Sequence, residues 1–205
     1  MPFYEVFITA FIVSYLGSIP PGTINISVMQ MSIQNQRRAA LYFGLGAALI
    51  ELVYVAITVK FQQFLYEHER LTVAFQIVTG IVLVILGIIN LRSKITSKNF
   101  LPHGSIRRRT GFKRGVTLGL LNPMTVPFWL IVTNYLVTHH WVTVTGENFW
   151  AYVTGLAVGT FFLMITVDFL GSKFQKISDN TLLVHRIPGI LFILMGFYTF
   201  WKITW

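Results

Sequence analysis

One acidic side chain lies inside an otherwise apolar segment of this chain. Glu51 ends the run Gly44–Glu51, about a dozen residues from the basic pair Arg37 and Arg38, and at about 1.5 Å per helical residue this places it near the middle of a membrane. A carboxylate at that depth costs several kcal/mol unless it faces a cavity, finds a partner or is protonated. Glu51 is therefore predicted to bind and release protons. The alternative is a protonated side chain that only hydrogen-bonds a neighbouring helix.

Two helix-breaking proline motifs interrupt apolar segments at matching places, one in Gly17–Thr23 and the other in Gly119–Thr125. Proline lacks a backbone N–H and clashes with the preceding turn, so nearby carbonyl groups lose their partners. In hydrocarbon these groups must be satisfied by other helices, by polar side chains or by a water-lined cavity. The polar residues suited to this task are Thr23, Asn25, Ser27, Asn122, Thr125 and Asn134.

Unwound backbone at matched positions of two related halves is a typical place for a transport site. The half-helix N-termini near Gly22 and Met124 would carry partial positive charge that can hold a substrate carboxylate. One break alone would favour a simple packing kink, whereas the symmetric pair favours a site. The predicted substrate and coupling residues are Glu51, Pro20, Pro21, Gly22, Thr23, Asn25, Asn122, Pro123 and Thr125.

The composition indicates a helical membrane protein. Of 205 residues, 54% are hydrophobic and only 11% are charged, and the mean hydropathy is +0.66, whereas about a quarter of the residues in a soluble domain are charged. Apolar segments of about 20 residues can cross a hydrocarbon core about 30 Å thick. An all-α integral membrane fold with six transmembrane helices is therefore predicted. The crossings lie at roughly 3–33, 39–65, 71–92, 111–138, 147–172 and 182–204, and helices 1 and 4 are broken at prolines.

The two halves of the chain echo each other. Gly80–Gly87 returns as Gly189–Gly196, and Ile57–Phe61 returns as Ile165–Phe169. If each half crosses the membrane three times, the second half must enter from the opposite side, which gives the inverted repeat of many secondary transporters. The prediction is a single transmembrane domain with repeat one at 1–92, a basic cytoplasmic connector at 93–110 and repeat two at 111–205.

The basic residues predict the orientation of the chain. All but three of the 16 Lys and Arg residues fall on the odd-numbered connectors, and the exceptions are Lys60, Arg70 and Lys202. By the positive-inside rule these connectors are cytoplasmic and both termini lie outside. The run Arg107–Arg109 could suggest nucleic acid binding, but membrane topology explains it better, with a secondary contact to anionic lipid headgroups at about 1 kcal/mol per basic residue.

Several other residues are expected to be structural. The glycines, including the pair Gly155 and Gly159, are expected to permit close helix packing, although this small-xxx-small pattern also serves dimerisation. Lys60 and Asp168 occupy matching repeat positions, and snorkelling to the interface explains both. The five tryptophans mostly lie near segment ends, as interface anchors do. They are Trp129, Trp141, Trp150, Trp201 and Trp205.

The motifs at the breaks resemble those of the lysine exporter family, the LysE/RhtB-type amino-acid exporters. Pro21-Gly22 with Asn25 resembles the Pro-Gly-Pro-Asn signature of the first helix, and Leu121-Asn122-Pro123 resembles the Asn-Pro motif of the fourth. The basic turn Arg37–Ala40 and the small-residue run Gly46–Glu51 are also similar. The chain departs from the family pattern at Thr23, Ile50, Glu51 and Met124, where proline, a small residue, aspartate and lysine are expected.

This resemblance implies export of an amino acid or a similar small metabolite from a bacterial inner membrane, with proton exchange as the driving force. It also implies a homodimer, no cofactor beyond the proton, and no enzymatic activity. An intramembrane enzyme would need paired acids or a nucleophile beside a base, and the sequence shows no such pair. Two alternatives remain open: a divalent-metal exporter of related architecture, which needs several intramembrane ligands, and a non-transport membrane scaffold. The substrate, coupling ion and direction of transport are left open.

Overall fold

The computed structural model describes residues 1–19, 22–66, 69–92, 106–122, 125–171 and 186–204, and all regular structure within these ranges is helical. The helix bounds match the predicted crossings closely, and both proline motifs fall between two helices. Most of the predicted connector, residues 93–105, lies outside the described residues. The helices are α1 (Phe3–Gly17), α2 (Thr23–Ile33), α3 (Arg37–Tyr66), α4 (Glu69–Arg92), α5 (Arg108–Leu120), α6 (Thr125–Thr138), α7 (Glu147–Phe169) and α8 (Ile187–Thr204).

Two described helices are long and apolar enough to cross a membrane by themselves. They are α3, over residues Arg37–Gln62, and α7. A third candidate is the pair α5 and α6, whose axes differ by 67° at the break between them. Shorter apolar helices occur at Phe3–Gly17, Gln76–Arg92 and Gly189–Trp201.

The outer surface of the bundle carries regular rows of large apolar side chains. On α3 such a row recurs every four residues, and each member is between 38% and 56% exposed. A continuous exposed apolar row along a helix marks a membrane or binding surface, so we assign this face to lipid. The row consists of Leu41, Leu45, Leu49, Val53 and Ile57.

The helices make their most extensive contacts in three pairs: α1 with α7, α3 with α5, and α4 with α8. In the first pair, a methyl group at Gly155 would lie 2.6 Å from the carbonyl oxygen of Phe7, and one at Gly159 would collide with the carbonyl of Phe11. The contacts advance in the same direction along both helices, so α1 and α7 run parallel. The packing role expected for Gly155 and Gly159 is thus observed within the chain.

The α3–α5 pair is built in the same way. A methyl group at Gly111 would lie 2.5 Å from the carbonyl oxygen of Ala39, and Gly115 faces the Phe43 backbone still more closely. These two helices also run parallel. In each pair, glycines on one helix of the second half allow the backbone of a helix from the first half to approach.

The α4–α8 pair runs antiparallel and uses the glycines of the sequence echo reciprocally. A methyl group at Gly87 would lie 2.7 Å from the carbonyl oxygen of Gly189, and one at Gly196 would lie 2.9 Å from that of Gly80. The repeated segments therefore pack against each other in opposite directions.

Candidate functional site

Glu51 lies on α3, where it contacts helices from the second half of the chain. Its Oε1 accepts a hydrogen bond of 2.9 Å from the indole Nε1 of Trp129 on α6. The hydroxyl of Thr160 on α7 lies beside the same carboxyl group, where it can donate to it or accept from it. Trp129 and Thr160 are 1% and 4% exposed. The acid predicted from the sequence is thus partnered within the bundle by residues of two other helices.

A chain of hydroxyl groups continues from Thr160 to α1. The Oγ atoms of Ser14 and Thr160 lie 2.7 Å apart, and Ser18 Oγ lies 3.4 Å from Thr160 Oγ1. Ser14 also donates to the carbonyl oxygen of Leu156 at 2.7 Å. The carboxyl group of Glu51 is therefore linked through Thr160 to the end of α1, next to the first proline motif.

The hydrogen count of this network fits both protonation states of Glu51. A hydroxyl group has one hydrogen to donate and can also accept, whereas an indole N–H only donates. When Glu51 is ionised, Thr160 donates to it and accepts from Ser14, which then no longer donates to the Leu156 carbonyl. When Glu51 is protonated, it can donate to Thr160, whose own hydrogen then points to Ser14. The arrangement can therefore hold or release a proton with a rotation of hydroxyl groups.

The first break leaves a carbonyl group that a side chain satisfies. Asn25 is buried on α2, and its Nδ2 donates a 2.7 Å hydrogen bond to the backbone oxygen of Ser18. Ser27 donates to the carbonyl of Thr23 within its own helix at 2.7 Å. Of these polar residues, Asn25 thus connects the two sides of the interruption, as its position after the prolines predicts.

The second break has an equivalent contact. The hydroxyl of Tyr54, one turn after Glu51, donates a 2.8 Å hydrogen bond to the backbone oxygen of Leu120 at the end of α5. In the preceding turn, a methyl group at Gly119 would lie 3.0 Å from the side chain of Ile50. Residues flanking Glu51 on α3 therefore contact the second break directly. The Glu51 network reaches the first break through Ser18.

Further polar side chains lie beyond Glu51 toward the C-terminal end of α3. Thr58 is two turns along on the same helix face and 1% exposed, and its hydroxyl has no partner among the described residues. On the adjoining helices, the hydroxyls of Thr133 and Tyr152 lie 2.9 Å apart and are buried. Gln62 donates to Asn134 at 3.5 Å. This half of the bundle interior is thus partly polar.

The remaining predicted site residues have less defined positions. Gly22 and Thr23 are exposed, and Asn122 and Thr125 are half-buried beside the second break. Pro20, Pro21 and Pro123 lie outside the described residues. Sequence reasoning missed a group of residues that the structure places around Glu51 and the breaks. These are Ser14, Ser18, Tyr54, Trp129 and Thr160.

Two expectations from the sequence need correction. Trp129 is no interface anchor, because it is buried and donates to Glu51. Asp168 does not snorkel to the surface, because it is 8% exposed and its Oδ1 has no hydrogen-bond partner among the described residues. Lys60 is exposed and lies 4.8 Å from the centre of the Phe149 ring.

No group of three acidic or histidine side chains that could hold a metal ion occurs in the described part of the chain. The site is therefore best characterised there as one carboxyl group with neutral hydrogen-bonding partners, next to two helix interruptions. Such a site can exchange a proton and hold a small polar solute beside the two interruptions.

Comparison with known proteins gives two matches. The profile of the family described as LysE type translocator matches residues 15–202. A protein of Bacillus subtilis (strain 168) named "Putative amino acid efflux protein YcgF" is 24% identical over 200 residues, which cover 95% of this chain and 94% of that protein. No solved structure matches the chain.

Proposed function

Because the chain belongs to the LysE type translocator family, we propose that it exports an amino acid or a similar small metabolite in exchange for protons. The name of the Bacillus subtilis relative supports amino acid efflux as the class of activity. The observation that carries the proton-coupling part is the position of Glu51, whose carboxyl group is bound by Trp129 and Thr160 from the other half of the chain.

The proposed architecture is six crossings arranged as an inverted repeat. With six crossings, the first and fifth run in the same direction, as do the second and fourth, whereas the third and sixth run in opposite directions. The contacts of α1 with α7, α3 with α5 and α4 with α8 have these directions. The α1–α2 pair and the α5–α6 pair then each form one broken crossing. Transport sites in such folds are typically formed by broken helices of this kind.

Contacts at the ends of the helices support the same topology. The side chain of Asn148 at the start of α7 donates to the backbone oxygen of Met1 at 3.1 Å. The backbone N–H of Ile106 donates to Gln36 Oε1 at 2.9 Å. The N-terminus therefore lies with the α6–α7 connector, and the α2–α3 connector lies with the residues before α5. We assign the first group to the outside and the second to the cytoplasm of a bacterial inner membrane.

In the proposed cycle, movement of one repeat relative to the other changes the surroundings of Glu51. When the carboxyl group is ionised, it needs the donors Trp129 and Thr160, which belong to repeat two. When it is protonated, it depends on them less, so protonation shifts the balance between two arrangements of the repeats. The substrate would occupy the helix interruptions near Ser18 and Leu120, where its carboxylate can meet the N-termini of α2 and α6.

The test is efflux from cells that express the protein and are loaded with dipeptides of single amino acids. We expect the wild type to export one or a few amino acids, and Glu51→Gln to reduce this export at least about 10-fold, because glutamine cannot exchange a proton. Glu147→Gln is the matched control, because Glu147 is an exposed acid at the start of α7. Both variants must be present in the membrane at wild-type amounts.

Two results would contradict the proposal in different ways. Undiminished export by Glu51→Gln would remove Glu51 from the coupling mechanism. Absence of efflux for every amino acid, with the wild-type protein shown to be in the membrane, would overturn the substrate class.

A further inference from the structure

An open pocket lies at the end of the bundle that we assign to the cytoplasm. It has a volume of about 480 Å³ and is bounded by the turn between α2 and α3 and by the start of α5. Four arginines line it, two from each side of the pocket. They are Arg37, Arg38, Arg107 and Arg108.

The packing of α3 against α5 brings these arginines together. The two helices run parallel, and the contact of Gly111 with the Ala39 backbone places their first turns side by side. The residues before the helices are also joined, because Gln36 accepts the backbone N–H of Ile106. Two basic segments about 70 residues apart in sequence are thus held on one pocket by close glycine contacts and a hydrogen bond.

The electrostatics of this pocket favour an anion. Its lining contains no acidic residue, and none of the four arginines forms an ion pair with the described part of the chain. The N-termini of α3 and α5 add backbone N–H groups and the positive ends of two helix dipoles. Like charges that line one pocket repel one another, so a bound anion would lower the electrostatic energy of the folded chain.

The position of the pocket relative to the lipid-facing surface indicates which anion is available to it. The exposed apolar row of α3 begins at Leu41, one turn after Arg37 and Arg38. Tyr42 is also exposed, and its ring lies 6.0 Å from the guanidinium carbon of Arg108. Basic and aromatic residues directly beside a lipid-facing surface lie at the level of lipid headgroups.

We propose that this pocket binds a phosphate group, supplied by the headgroup of an anionic lipid on the cytoplasmic side. Arginine is suited to this role because its planar guanidinium binds phosphate oxygens in pairs. Bound phosphate would join the first turns of α3 and α5 across the two halves of the chain. Since α3 carries Glu51, the lipid would stabilise one arrangement of the two halves. Binding of the lipid phosphate does not depend on which solute the protein transports.

The test uses the purified full-length protein in vesicles of phosphatidylcholine alone or of an equal mixture with phosphatidylglycerol. A ligand that binds only the folded state raises its stability, so we expect phosphatidylglycerol to raise the Tm of the wild type by several degrees. The shift should be mostly lost in Arg37→Gln/Arg107→Gln, which removes one arginine from each side. It should be retained in Arg92→Gln/Arg109→Gln, which removes two exposed charges outside the pocket.

A second arm separates the two sources of phosphate. Wild-type protein in phosphatidylcholine is titrated with inorganic phosphate at constant ionic strength. A pocket-dependent shift from inorganic phosphate as large as that from the lipid would assign the site to a free anion rather than to lipid, which retains the phosphate chemistry and overturns the lipid source.

Two outcomes would overturn the proposal as a whole. One is the absence of any shift with either form of phosphate. The other is an equal loss of the lipid shift in both double variants, which would indicate general surface charge. The conservative variant Arg37→Lys/Arg107→Lys controls for a folding defect caused by loss of charge. It should retain part of the Tm shift, because lysine keeps the charge and loses only the paired hydrogen bonds of arginine to phosphate.

Discussion

At the residue scale, the surroundings of Glu51 consist of neutral donors rather than a basic partner. A carboxylate paired with a lysine or arginine would be held in its ionised form. An indole N–H and a hydroxyl group bind the ionised form less strongly, and the hydroxyl can reverse its direction to accept. Trp129 and Thr160 therefore fit a carboxyl group that changes protonation during a cycle better than a fixed structural ion pair.

Thr160 should be needed for this exchange, since it connects Glu51 to the hydroxyl chain of α1. In Thr160→Val the side-chain shape is kept and the hydroxyl group is lost, which leaves Glu51 with the indole donor alone. A hydrogen bond to a charged group is worth about 1.5–3 kcal/mol, so we expect export to fall about 10-fold or more. The measurement is the efflux rate of the loaded amino acid across external pH values.

Thr154→Val on the same helix is the control for this variant. The Thr154 hydroxyl bonds only carbonyl groups of its own helix in the structure, at Trp150 and Ala151, so export and its dependence on pH should stay at wild-type values. Equal effects of the two substitutions would mean that Thr160 contributes packing or helix stability only, and that the hydroxyl chain has no part in proton exchange.

The sequence alone singles out Glu51 and Asn25 as candidates, because each stands out locally. An acid in an apolar segment and an amide directly after a proline motif need no knowledge of neighbouring helices. Trp129 and Thr160 could not be identified in this way. They join the candidate site through contacts with Glu51, which lies 78 and 109 residues away along the chain. Ser14 and Ser18 carried a weak signal, because two hydroxyl residues spaced by four share one face of an apolar helix.

At the scale of elements, the glycines determine which helices can pair. Between apolar helices in a membrane there is no hydrophobic driving force, so close backbone approach supplies much of the attraction. The α1–α7 and α3–α5 contacts both depend on glycines in the second half of the chain. Helix bounds were predictable from apolar length, whereas these pairings were not, because small residues indicate a close contact without indicating the partner.

Gly115→Ala should destabilise the α3–α5 contact. Its added methyl group would collide with the backbone carbonyl of Phe43, and backbone cannot move aside as a flexible side chain can. Overpacking of this kind costs about 1–3 kcal/mol, so the fraction of folded protein in detergent should fall at lower temperature than for the wild type. Thermal unfolding followed by fluorescence-detected size exclusion measures this change.

Gly22→Ala is the control for stability. A methyl group at Gly22 would meet no atom within 4 Å, and the backbone φ of −92° is open to any residue. Its Tm should therefore stay close to that of the wild type. If Gly115→Ala were as stable as Gly22→Ala, the close contact of α3 with α5 would not contribute to the stability of the fold.

At the scale of the whole molecule, the number of crossings sets which connectors share a side of the membrane. By length alone, α3 and α7 are sufficient to cross, and α5 with α6 could make a third span. The six-crossing arrangement also requires α4, α8 and the α1–α2 pair to cross. Arg38 at the start of α3 and Arg92 at the end of α4 distinguish these cases. Two crossings between them place both residues on one side, whereas a single crossing through α3 places them on opposite sides.

The chain contains no cysteine, so a variant with one introduced cysteine is labelled at that position alone. We expect Arg38→Cys and Arg92→Cys to resist a membrane-impermeant maleimide in intact cells and to react after permeabilisation, because both lie on the basic side. Thr145→Cys in the exposed α6–α7 connector should react in intact cells. Labelling of only one of the two arginine positions from outside would contradict the six-crossing fold.

In that case the antiparallel contact of α4 with α8 would have to form outside the bilayer, where its exposed apolar residues such as Ile81 and Ile85 would face water. Burying such surface in lipid is strongly favoured, which is why we expect the two arginine positions to behave alike.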